Sequence, residues 1–138
     1  MYRILELNPQ LVPFSDNIDL RMNLYRNTKN RLLTAGQDLK DFANGHNFYG
    51  FHHVEGGWYY REWAPSADQL YLEGEFNNWN PTSHPMKRLD GENWELYLPG
   101  DDALWHGCKV KTVVDYHGSR TEHLPLYIRR VIQNKGNN

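Results

Sequence analysis

Residues 56–81 read GGWYYREWAPSADQLYLEGEFNNWNP. Gly56-Gly57 opens a run of period two, Trp58 to Ala64, and Pro65 closes it, because the residue before a proline is held extended and the proline offers no amide to a sheet. In the next run Leu70, Leu72 and Gly74 share one face, and Tyr71, Glu73 and Glu75 the other, as in a strand covered on one side. Phe76 carries the inner set into the loop Asn77-Asn78-Trp79-Asn80-Pro81.

The same punctuation continues toward the C-terminus. Met86, Lys87 and Arg88 form a short strand before the Asp90-Gly91 turn. Trp94, Leu96 and Leu98 alternate with Glu95 and Tyr97 until Pro99-Gly100. Val110, Thr112 and Val114 alternate with Lys109, Lys111 and Val113, and the chain turns at His117-Gly118. Residues 124–132 supply a last strand or a linker. Short strands at this spacing, jointed by Gly, Pro and Asn, predict an all-β, immunoglobulin-like β-sandwich.

Toward the N-terminus the period lengthens. Residues 1–14 read as an extended lead-in broken by Pro9 and Pro13. A helix follows to about Thr34, capped by Ser15 or Asp16, with Ile18, Met22, Tyr25, Leu32 and Leu33 as its apolar stripe. Ala35-Gly36 ends it. A shorter helix from Asp38 packs Leu39, Phe42 and Ala43 and stops at Asn44-Gly45. Such a stripe calls for a partner, either the sandwich or another domain. The expected organisation is a helical leader (1–45), a sandwich module (46–133) and a linker (134–138).

Of 138 residues, 39% are apolar and 23% charged, so the chain is expected to fold. A net charge of −2 gives no electrostatic reason for a nucleic-acid or membrane partner. One cysteine, Cys108, excludes an intrachain disulfide, and the N-terminus does not read as a signal peptide, so the expected compartment is the cytoplasm. The aromatic load is high, with five Trp, nine Tyr and five Phe. Those rings are either core or platforms for a flat, hydroxyl-rich ligand.

No pair of carboxylates stands where fold reasoning makes it an acid and a base in one cleft. Glu73 and Glu75 read as a solvated face, and Cys108 as a structural thiol. The seven histidines match no zinc spacing, so neither metal nor cofactor is expected. The Asn-rich loop carries more information. Asn77 and Asn78 offer both donor and acceptor to sugar hydroxyls, or else hold the turn through backbone bonds. Trp79 is either a stacking platform or packing against a neighbour. Lys111 points away from Val110 and can donate to a hydroxyl.

Several of these stretches carry a resemblance. Phe51-His52-His53-Val54-Glu55-Gly56-Gly57, Tyr60-Arg61-Glu62-Trp63-Ala64-Pro65, Leu72 to Pro81, His84-Pro85-Met86 and Trp94-Glu95-Leu96 resemble the N-terminal sandwich of glycogen branching enzymes. That sandwich belongs to family 48 of the carbohydrate-binding modules, which precedes the barrel of family 13 glycoside hydrolases. The leader and Pro125 to Gln133 resemble the same enzymes, so the similarity covers nearly the whole chain. It implies a parent that cuts α-1,4-glucan and transfers the piece to a 6-hydroxyl, with its nucleophile and acid/base in a separate barrel. No residue here corresponds to that pair, so the chain itself is expected to be non-catalytic. Its implied partners are α-glucan and the parent's catalytic barrel. A related module in the AMP-activated kinase β subunit uses a Trp matching Trp79, a Lys matching Lys111 and a second Trp just beyond. Here that region reads Asp115-Tyr116-His117-Gly118, leaving Tyr116 or His117 to substitute. An alternative is a structural module that mainly packs on the barrel.

Overall fold

A computed structural model of the protein describes residues 2–133. The linker expected at 134–138 lies outside the described residues. The chain divides into two compact units between Asn44 and Gly45.

The first unit is helical from Arg3, which corrects the extended lead-in. Helix α1 (Arg3–Leu7) leads into a 3-10 helix over Pro9–Phe14. Pro9 sits in its first turn, where a missing amide costs nothing, and the Asn8 side chain accepts from Gln10 N at 3.2 Å. Helix α2 (Ser15–Leu32) follows directly, so Ser15 is its first residue and no side chain caps it. No residue of α2 is fully buried; of the expected stripe, Tyr25 and Leu32 are exposed, and Ile18, Met22 and Leu33 are half-buried. The short helix α3 (Leu39–Phe42) has a reciprocal cap, with Asp41 N donating to Asp38 Oδ1 and Asp38 N to Asp41 Oδ2.

The second unit is a sandwich of two antiparallel sheets. One has the order β1 (Gly50–Val54), β2 (Gly57–Trp63), β5 (Asn93–Pro99), β4 (Lys87–Arg88). The other runs β3 (Gln69–Gly74), β6 (Val110–Tyr116), β7 (Ser119–His123). Tyr60, Trp94 and Leu98 from the first sheet meet Leu70 and Leu72 from the second, with Met86 and Leu104 in the same cluster. Residues 124–132 form no strand.

An acid lies inside this core. Glu62 is buried beside Tyr60, whose hydroxyl donates to Glu62 Oε2 and meets Thr112 Oγ1 at 2.6 Å, so a polar chain links the two sheets. Trp63 N and Leu126 N also donate to the carboxylate, at 3.1 and 2.9 Å. Burial pushes the Glu62 carboxyl up, and these bonds pull it back. The second bond ties the segment after β7 to the interior.

The outer face of the second sheet also departs from expectation. Val113, which alternation puts on the face of Lys111, is 0% exposed, and Glu73, expected on a solvated face, only 4%. Glu75 does not continue the strand; it begins a 3-10 turn, and its Oε2 accepts from Lys109 N at 3.0 Å.

Candidate glucan site

Strand β3 ends at Gly74 because the chain must pass close to the start of β6. A Cβ on Gly74 would lie 2.4 Å from the Lys109 carbonyl oxygen. The chain then makes a 3-10 turn over Glu75–Asn77, and Asn78 and Trp79 are both left-handed, with φ of 53° and 57°. Asn tolerates that region; for a bulky indole it is strained by about 1–3 kcal/mol.

Asn77 holds the strain in place. Its Oδ1 accepts from Gly74 N at 2.9 Å, and its Nδ2 lies 3.1 Å from the Leu72 and Asn80 carbonyl oxygens. The same amide reaches Ser83 Oγ at 3.0 Å and His84 Nδ1 at 3.1 Å. Burial depresses the His84 pKa, so its ring is held neutral and able to accept. The Asn77 side chain is therefore committed to the turn.

That turn presents Trp79 to solvent at 41% exposure. Lys111 comes from β6, with its ammonium 5.9 Å from the centre of the Trp79 ring. The Lys111 ammonium also pairs with Glu122 on β7, which raises its pKa. Glu73 stands directly opposite Lys111 in the ladder, its own carboxyl pushed up by burial and then by Glu122. An exposed indole face beside a cation and the exposed Glu122 carboxylate offers apolar stacking together with hydrogen bonds to hydroxyls.

Of the residues singled out from sequence, the structure brings Trp79 and Lys111 together, with Asn77 beneath them and Asn78 exposed beside them. It does not bring Tyr116 and His117 to this cluster. They sit at the far end of β6, about 17 Å from Lys111 at a strand's rise per residue. Their rings pack on each other at 4.2 Å, and His117 N donates to Asp68 Oδ2 at 2.6 Å. The residue that lies beside Lys111 from the returning strand is Glu122.

Sequence reasoning passed over Trp105, which lies in the loop between β5 and β6. It is 51% exposed and lines the same cavity as Trp79, a space of about 900 Å³ that Leu124 and residues 127–133 also line. Its signal was present in the sequence, a Trp in a loop between two strands. Nothing in the periodicity ties that loop to the Trp79 turn. Cys108, three residues on, packs against the core, and burial pushes its thiol pKa up. No helix among the described residues is long and apolar enough to cross a membrane.

The chain is 36% identical to a 1,4-alpha-glucan-branching enzyme of Dictyostelium discoideum, over 98% of its own length and 21% of the relative's. It is 38% identical to that of Felis catus over 81% of the chain and 17% of the relative, and 33% identical to that of Equus caballus over 98% and 20%. The chain thus spans about a fifth of the length of these relatives. The model of carbohydrate-binding module 48 (isoamylase N-terminal domain) matches residues 48–128, from just before β1 to just past Tyr127. With more than half of its residues inside that match, the chain belongs to the carbohydrate-binding module 48 family.

Proposed function

We propose that the chain is the non-catalytic N-terminal module of a 1,4-α-glucan branching enzyme and that it holds linear α-glucan through Trp79 and Lys111. Its partners are then α-glucan and the catalytic barrel of the same parent chain, and its compartment the cytoplasm. The observation that carries this reading is the Trp79 ring, exposed beside the Lys111 ammonium on a backbone held left-handed by Asn77. Stacking a glucose face on the indole removes apolar area from water at about 25 cal/mol per Å², before ordering costs. A lysine donor at a wet rim adds roughly 1 kcal/mol.

Backbone amide shifts recorded during a maltoheptaose titration test the reading. The expected dissociation constant is nearer millimolar than micromolar, about 4–6 kcal/mol. Trp79→Ala abolishes the response while moving stability by no more than about 0.5 kcal/mol, as for an exposed side chain. A loss of roughly 3–5 kcal/mol would instead mark the ring as core.

A second reading, a module that mainly packs on the barrel, is favoured by the exposed apolar side chains of Leu124, Leu126, Tyr127, Val131 and Ile132. Wild-type protein without any maltoheptaose response would favour it.

A further inference from the structure

We propose that Trp105 is a second sugar-stacking platform, so that the cavity lined by Trp79 and Trp105 is one α-glucan subsite. The proposal rests on the α-glucan reading of Trp79 and extends it to a different loop.

Trp105 is an exposed ring on a fixed mount. The residue before it, Leu104, is buried in the core, and Ala103 packs against that core. On the other side Cys108 is packed as well, and Cys108 N donates to the Trp105 carbonyl at 3.0 Å. Ala103 N donates to the Gly100 carbonyl at 3.1 Å, closing the loop's first turn. The backbone is thus held at both ends while the indole stands in solvent.

Among the described residues, the Trp105 ring makes no hydrogen bond, ring contact or cation contact. Its indole N–H is free to donate. Two large flat rings, each about half exposed, line one cavity together with Lys109 and Lys111, which follow Trp105 in the chain. The cavity's roughly 900 Å³ is near the upper end for small-molecule sites, room for more than one sugar ring. Aromatic faces with interspersed charged donors suit a chain of hydroxylated rings, and platforms held in advance lower the ordering cost of binding.

The test is a maltoheptaose titration of the wild-type chain, Trp79→Ala and Trp105→Ala, read by backbone amide shifts, with the indole N–H signals followed in the wild type. Both the Trp79 and Trp105 indole signals are expected to shift along one binding curve. Trp105→Ala is expected to weaken binding about tenfold, with an unchanged thermal melt. A Trp105→Ala protein that binds as the wild type does, while Trp79→Ala does not, overturns the Trp105 assignment and leaves the Trp79 reading intact. So does a Trp105 indole signal that stays still at saturation, a result that does not depend on the variant folding. A wild type without any response overturns both.

Discussion

Asn77 stands in for backbone. Its amide accepts from Gly74 N and reaches the Leu72 carbonyl, so truncation leaves both without these partners. Asn77→Ala is expected to cost about 1–3 kcal/mol of stability. With the turn loosened, Asn78 and Trp79 relax out of the left-handed region. Maltoheptaose binding should weaken although Trp79 is still present. A denaturant melt and the titration, run on the same sample, check both effects. Turn-holding was one of two readings the sequence left open for Asn77, beside direct contact with sugar hydroxyls, because short amide side chains bond to nearby backbone. The burial of Val113 was not legible. Alternation assigns a residue to a face, but neighbours decide whether that face is covered. Tyr71 and Glu122 stand directly across from Val113, and the Arg120 guanidinium lies 5.2 Å over the Tyr71 ring.

At the scale of elements, the β6–β7 hairpin shows what a turn can specify when its strand cannot. Ser119-Arg120-Thr121-Glu122-His123 has no apolar residue, so periodicity gives no sign of β7. The strand forms because His117 and Gly118 are both left-handed, with φ of 47° and 78°, the two-residue turn whose twist suits a hairpin. The dipeptide was legible and the strand after it was not. Gly118→Ala adds a Cβ in that conformation and is expected to cost about 1–2 kcal/mol. Since Trp79 and Lys111 lie at the opposite end of β6, maltoheptaose affinity should stay unchanged. A thermal melt beside the titration separates the two. The helical lead-in was missed for another reason: its helices are too short to show a period, and Pro9 and Pro13 look like breakers.

For the whole molecule, the two sheets were legible because three long runs alternate and end at Gly or Pro. The shared cavity was not, since it gathers loops far apart in sequence. Stability as a function of pH is also a property of the whole. The folded chain holds His84 neutral below the ordinary imidazole value of 6.5. As pH falls through that value the unfolded chain takes up a proton that the folded one refuses, so stability drops until the lower folded pKa is reached. Comparing melts of wild type and His84→Gln from neutral to acid pH checks this: the wild type is expected to lose stability relative to the variant. One further consequence follows from Glu62, whose carboxylate receives the Leu126 amide. The Tyr127 ring lies parallel to Tyr49 at 5.8 Å and adds a second fastening. The segment after β7 is therefore anchored at Leu126 and Tyr127, and the reach of a fused partner is counted from there and not from His123. Counting from Tyr127 shortens that reach by four residues, about 13 Å of extended chain. A fusion junction cut at residue 124 would discard both fastenings and release that slack. One cut at residue 129 would keep a partner's effective concentration high.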